Sequence, residues 1–186
     1  VAVILGVDPV TEIASAITTR FGLFELEIAT SMNSGLKTVY TPRYNIPVPA
    51  TAGIILEGRL SRDKWVDEGP FVDILALQDI VRKQPVFILE DVYVNTSLPV
   101  LYHAIVPSTV DHQFLMGFPR EAAIYNFVKN VSPGVKAVRL SRGGAGWLHA
   151  VVSIKQSRPG EAKLVGLAVI TAHPSVKHVV IVDDDI

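Results

Sequence analysis

The sequence predicts an α+β protein, and three observations carry that prediction. Residues 36–106 are rich in β-branched and aromatic side chains broken by prolines and short polar turns, the composition of an antiparallel sheet or barrel. A stretch with helical periodicity follows at 119–131, opened by Pro119 and closed by Ser132-Pro133-Gly134. Residues 132–186 then run strand, glycine-rich turn, strand, helix, strand, which is how a small α/β layer with a crossover begins. The expected organisation is a barrel portion over 1–118, a connecting helix over 119–131 and the first part of an α/β association domain over 132–186.

In chain order, residues 1–5 are continuously apolar and read as a buried strand. Gly6-Val7-Asp8-Pro9 turns that strand into a helix, with Asp8 as N-cap, Pro9 at the first helical position, and Ile13, Ala14, Ala16 and Ile17 on its apolar face. One glycine there does not make a phosphate loop. A second helix is expected over about residues 23–33, where Glu25, Ile28, Ala29 and Met32 fall at i, i+3, i+4 and i+7. That spacing puts a carboxylate in line with an apolar stripe. If buried it needs a metal ion, an arginine or a proton; at the stripe's edge it reaches water, and spacing leaves both readings open.

Strands are expected at 36–40, 52–57, 85–94 and 99–106, with Asn95-Thr96-Ser97 turning between the last two. Pro42, Pro47 and Pro49 favour edge or loop positions in the first pair. After the helix at 119–131, strands are expected at 135–140, 147–154 and 176–182, with a helix at 160–172. No internal repeat or low-complexity segment interrupts this order.

Composition narrows the function classes. The 186 residues are 49% hydrophobic and 19% charged, which fits a compact, associating globule and predicts a homo-oligomer. A formal net charge of −1 gives no electrostatic case for nucleic acid or an anionic membrane, and the apolar runs are too short for a membrane span. With no cysteine there is no disulfide, thiolate metal site or cysteine nucleophile, so a metal has to sit on Glu, Asp, Asn or His. The opening valine run lacks a basic segment and a cleavage site, leaving the cytoplasm as the default compartment. The chain starts inside that run and stops just after Asp183-Asp184-Asp185, so it is expected to be an internal piece of a longer protein.

The stretch that concentrates chemistry is Glu68-Gly69-Pro70-Phe71-Val72-Asp73. In an extended strand, residues five apart point to opposite faces, so the two acids serve one cavity only if Gly69-Pro70 bends the chain between them. Acids flanking a turn are usually solvated, and spacing alone does not overturn that. The stretch does resemble the Glu-Gly-Pro-Phe-Gly-Glu/Asp signature of the UbiD-type decarboxylases, prenylated-flavin enzymes that include 4-hydroxybenzoate and ferulate decarboxylases. Phe21-Gly22-Leu23-Phe24-Glu25, Val48-Pro49-Ala50-Thr51, Ile55-Leu56-Glu57-Gly58, Gly117-Phe118-Pro119-Arg120-Glu121-Ala122 and the run from Gly143 to Lys155 are similar to further family segments, in the same order. So are Pro159-Gly160-Glu161-Ala162 and the segment from His173 onward.

The resemblance implies a flavin-binding split β-barrel for the first portion, and prenylated FMN with manganese as cofactors, potassium being a second candidate ion. It implies that Glu25 ligates the metal holding the cofactor phosphate, that Glu68 pairs with a catalytic arginine, and that Asp73 protonates the product carbon. The substrate implied is a small α,β-unsaturated or aromatic carboxylic acid. Val72 replaces a glycine common in the family, and Asp73 stands where some members carry glutamate. Together with residues 79–86 and Leu115-Met116-Gly117, this is similar to the archaeal branch that acts on anhydromevalonate phosphate in isoprenoid synthesis. The family's catalytic arginine and its metal-binding asparagine and histidine lie upstream of anything matching Val1. Two other functions remain open at this point: a non-catalytic flavin-binding or assembly subunit, and a flavin reductase.

Remaining signals are weaker. Arg142-Gly143-Gly144-Ala145-Gly146 precedes a strand, not a helix, and reads as a turn. Lys155 and Arg158 are candidates for a cofactor phosphate, although isolated basic residues after a strand are more often solvated. The five histidines show no metal-binding spacing, and the three terminal aspartates read as a solvated strand end.

Overall fold

A computed structural model describes residues 1–19, 21–97 and 99–186. The chain divides into two compact units, one made of residues 1–15 and 19–105, the other of 16–18 and 106–186. The division falls earlier than the boundary expected after residue 118.

The first unit holds strand β1 (Ala2–Leu5), helices α1 (Pro9–Ser15) and α2 (Glu25–Met32), and strands β2 (Thr38–Tyr40), β3 (Pro47–Pro49), β4 (Ile54–Glu68) and β5 (Arg82–Val94). The order β1-β4-β5 makes an antiparallel three-stranded sheet, and β2 and β3 pair as a separate antiparallel ribbon. Asp8 caps α1 as its sequence position predicts: Oδ1 accepts from the N–H groups of Val10 and Thr11, both at 3.1 Å, and Oδ2 accepts from the Thr11 hydroxyl at 2.6 Å. Ala14 of α1 and Ala29 of α2 are buried with Leu36, and Ile28 packs against them.

Three expectations for this unit need correction. The strand at the N-terminus is not buried: Val1, Val3 and Leu5 are exposed, because β1 lies at the edge of its sheet. β4 does not end near Glu57 but continues to Glu68, paired with β5 through Glu68 opposite Arg82. Its outer half is exposed, so the backbone ladder holds it with no apolar alternation to announce it. The strand expected at 99–106 is absent. Part of its apolar content serves packing instead, since a Cβ added at Gly6 or Gly53 would lie 2.7 Å from Val100 Cγ1, while Leu101, Ile105 and Val106 are exposed.

The second unit holds α3 (Val110–Lys129), β6 (Val135–Leu140), β7 (His149–Ile154), α4 (Glu161–Ala172) and β8 (His178–Val182). β6 and β7 pair antiparallel, while β7 and β8 pair parallel with α4 as the crossover. Ile124 and Val128 of α3 and Val165, Ala168 and Val169 of α4 share one core with Val138, Val152 and Ile154 of the sheet. The glycine-rich segment is the expected connection between antiparallel strands: a single 3-10 turn at Arg142–Gly144, capped by the Ser141 side chain.

α3 overturns the reading of Pro119 as a helix start, since the helix begins at Val110 and Pro119 lies inside it. An internal proline removes one hydrogen bond and costs about 3 kcal/mol. Packing around the same turn offsets this. Gly117 approaches the Gly146 carbonyl so closely that a Cβ there would stand 2.5 Å from the oxygen. Arg120, 7% exposed, donates through Nη1 to the Met116 carbonyl and through Nε to His173 Nε2 at 2.8 Å, with its guanidinium carbon 3.9 Å from the Trp147 ring centroid. Burial lowers the pKa of Arg120; burial and then the Arg120 charge lower that of His173, which favours a neutral ring.

Glu161 is the unit's buried carboxylate. It accepts from Ser132 Oγ at 2.8 Å, from the Ser157 N–H at 2.6 Å and from Ser157 Oγ at 2.9 Å. The Ser157 N–H, followed by the two hydroxyls, brings its pKa down to about 2. A carboxyl depressed by folding stabilises the native state above its unfolded pKa of about 4.3, and that stabilisation drains as pH falls toward the folded value. Melting temperature followed through acid titration should fall between about pH 5 and pH 2 in the parent protein. Glu161→Gln should be less stable at neutral pH and lack this component of the fall; an unchanged acid limb would refute the assignment.

Candidate functional site

The first unit contains a cavity of about 710 Å3. Its walls come from β1 and the following turn (Ala2, Ile4, Leu5, Gly6), from α1 (Thr11, Glu12), from the start of α2 (Phe24, Glu25, Leu26), from Ile46, Pro47 and Val48, and from Tyr102 and His103. Most of the lining is apolar, with a few polar groups, the make-up of a small-molecule site.

Glu25 opens α2, half-buried, and lines this cavity. It makes no hydrogen bond or ion pair with a described residue. Glu12 and His103 line the same cavity and contact one another, Oε1 to Nδ1 at 2.5 Å. The carboxylate holds that ring nitrogen and so orients the imidazole. Ninety-one positions separate the two residues, which is why neither drew attention in the sequence.

A divalent ion takes several hard donors. Among the described residues no group of three His, Asp or Glu side chains could hold one. Glu25 is a carboxylate oxygen donor with no partner among the described residues, and its chemistry fits that of a hard-cation ligand.

The acid-bracketed stretch bends as expected. Gly69 has φ +92°, where a side chain would be strained, and the Gly69–Pro70 peptide is cis. The bend does not bring Glu68 or Asp73 to the cavity that Glu25 lines. The Glu68 carboxylate, exposed at the end of β4, bonds to no described residue; the Arg82 side chain opposite it turns to Asp79, Nη2 to Oδ1 at 2.5 Å. Asp73 sits in a loop that closes on itself, with the Asp79 N–H donating to the Phe71 carbonyl at 2.8 Å and the Asp73 N–H to the Leu77 carbonyl at 2.9 Å. Asp73 Oδ1 accepts from the N–H groups of Leu75 at 2.8 Å and Leu77 at 3.0 Å. Oδ2 takes no hydrogen bond from a described residue. Lys155 and Arg158 are exposed in the second unit and line neither the cavity beside Phe114 and Arg142 nor the one beside Tyr125 and Lys136.

A buried carboxylate that the sequence reading passed over is Glu57, in β4, with no exposed surface. Oε1 accepts from the Thr41 hydroxyl and from the Tyr44 N–H at 2.8 Å, Oε2 from the Arg43 N–H at 3.3 Å and from the Tyr93 hydroxyl at 3.1 Å. Burial pushes its pKa up, but these four donors outweigh burial and the net direction is down. Its apolar flank in Ile55-Leu56-Glu57-Gly58 was a usable signal, since a charge within a buried run needs partners.

Comparison with known proteins gives concordant matches. Residues 1–110 match the family model described as the 3-octaprenyl-4-hydroxybenzoate carboxy-lyase Rift-related domain, and residues 113–186 match the C-terminal domain of the same carboxy-lyase. Anhydromevalonate phosphate decarboxylase of Methanothermobacter thermautotrophicus is 42% identical over 187 residues, covering 100% of the chain and 44% of the relative. The enzyme of the same name from Aeropyrum pernix is 40% identical, covering 99% and 42%. Among solved structures, an evolved dimeric form of the UbiD-class enzyme HmfF from Pelotomaculum thermopropionicum, in complex with prFMN, superposes with TM-score 0.93 at 36% identity, covering 100% of this chain and 43% of that one. The chain thus spans less than half the length of the relatives it matches. No helix among the described residues is long and apolar enough to cross a membrane.

Proposed function

The chain belongs to the UbiD family of carboxy-lyases, and from that premise we propose that the whole protein is a prenylated-FMN-dependent decarboxylase of an unsaturated or aromatic acid, with anhydromevalonate phosphate as the first substrate to test. The observation that carries this reading is the alignment of essentially the whole chain, at about 40% identity, with two enzymes of that name. In the same reading, the β1-β4-β5 sheet and the β2-β3 ribbon are part of a flavin-binding split barrel, and the protein is a cytoplasmic homo-oligomer.

When bound, the prenylated flavin supplies the electron sink that makes loss of carbon dioxide feasible. The chain's own residues hold, orient and protonate. Glu25 would hold a manganese ion through a carboxylate oxygen, and that ion would supply positive charge for the cofactor phosphate. Glu68, whose carboxylate has no partner among the described residues, holds an arginine contributed from outside this chain. Asp73, its Oδ1 fixed by two backbone N–H groups, delivers a proton from Oδ2 to the carbon that has lost its carboxylate and is reloaded from solvent. The balance is one carboxylate and one proton in, one carbon dioxide and one C–H bond out.

Mass spectrometry of the cofactor released from the full-length protein tests the reading. A prenylated FMN mass supports it. Plain FMN with hydride uptake from a nicotinamide would favour a flavin reductase, and bound prenylated flavin with no carbon dioxide from any acid would favour a non-catalytic subunit.

A further inference from the structure

The Glu57 carboxylate is used by none of the steps above, yet it accepts four hydrogen bonds from described residues. Its four donors come from three places: Thr41, the adjacent backbone of Arg43 and Tyr44, and Tyr93 on β5. The Thr41 hydroxyl also accepts from the Ile46 N–H at 3.0 Å, and the Thr41 N–H donates to the Ile46 carbonyl at 2.9 Å. Arg43 reaches Asp91 through Nε, and the Tyr44 hydroxyl donates to Glu90 at 2.5 Å, so the segment's outer side is tied to β5 as well. Residues 41–46 are thus gathered onto one buried anion. They lead directly into Ile46, Pro47 and Val48, which line the cavity that Glu25 lines.

We infer that Glu57 is a positioning residue: by gathering residues 41–46 it fixes the wall made by residues 46–48 and so sets how tightly the cavity takes its ligand. Each carboxylate oxygen faces a backbone N–H, Tyr44 at Oε1 and Arg43 at Oε2. Hydroxyls can rotate to become acceptors, but backbone N–H groups cannot. A glutamine, whichever way its amide is turned, therefore sets its NH2 against a donor. The ligand half of the inference rests on the flavin reading; the wall half does not.

The test uses full-length protein, with FMN as the probe and two measurements: hydrogen exchange of the segment 41–48 and FMN affinity by flavin fluorescence. Glu57→Gln should speed exchange of that segment, leave β6 and β7 protected, and weaken FMN by about tenfold or more. Glu161→Gln is the matched control, an equally buried carboxylate in the other unit; it should change neither readout. If Glu57→Gln does not fold, Tyr93→Phe, which removes one of four donors, should shift both readouts the same way by a smaller amount. Exchange and affinity at parent values in the folded variant, or an equal shift in Glu161→Gln, would overturn the inference. A parent protein that binds no FMN would sink the flavin reading, while exchange would still decide whether Glu57 sets the wall.

Discussion

Replacing Asp73 by asparagine in the full-length protein should lower carbon dioxide release by about 10²- to 10⁴-fold, the usual worth of a positioned acid, with flavin still bound. The structure makes this substitution informative. Asp73 Oδ1 accepts from the Leu75 and Leu77 N–H groups, and an asparagine carbonyl oxygen can accept both. The loop therefore keeps its shape, and what changes is Oδ2, which becomes an amide that cannot deliver an acidic proton. If the residue merely closes its loop, Asp73→Asn will be nearly silent and Asp73→Ala damaging. If it protonates carbon, both are inactive. Turnover and bound flavin measured on the two variants separate the cases, and near-parent turnover in Asp73→Asn would remove the proton-donor role.

Glu25→Gln should release metal and cofactor phosphate together, weakening manganese by roughly 10²-fold or more, since even residues that merely support a metal ligand are worth 10- to 100-fold. Glutamine keeps the size and one neutral oxygen, so packing at the start of α2 survives while the anionic donor is lost. Elemental analysis and flavin absorbance on the same preparation are the measurements. Full metal content in a folded variant would take Glu25 out of the ligand set.

The sequence was most legible where local chemistry and tertiary structure ask for the same thing. Asp8-Pro9 caps and starts α1 as read, β6 spans the residues expected, and the turn at Arg142–Gly144 joins antiparallel strands. Legibility failed where packing overrides a local rule. Pro119 is tolerated inside α3 because Gly117 and Arg120 make contacts that no window of sequence displays. Residues 99–106 have strand composition, but part of it is spent lying against Gly6 and Gly53. The site divides similarly. Glu25 was visible as a carboxylate in line with apolar residues, and it lines the cavity of the first unit, which spacing alone did not reveal. The Glu12–His103 contact and the donors around Glu57 join residues far apart in the chain, and spacing carries no trace of them.

The most direct measurement of the central claim is carbon dioxide release from anhydromevalonate phosphate by the full-length protein loaded with prenylated FMN and manganese. The account predicts one carbon dioxide per substrate consumed, with no consumption of a nicotinamide. No release from that compound, nor from a panel of unsaturated and aromatic acids, by a protein that demonstrably holds the prenylated cofactor would contradict it.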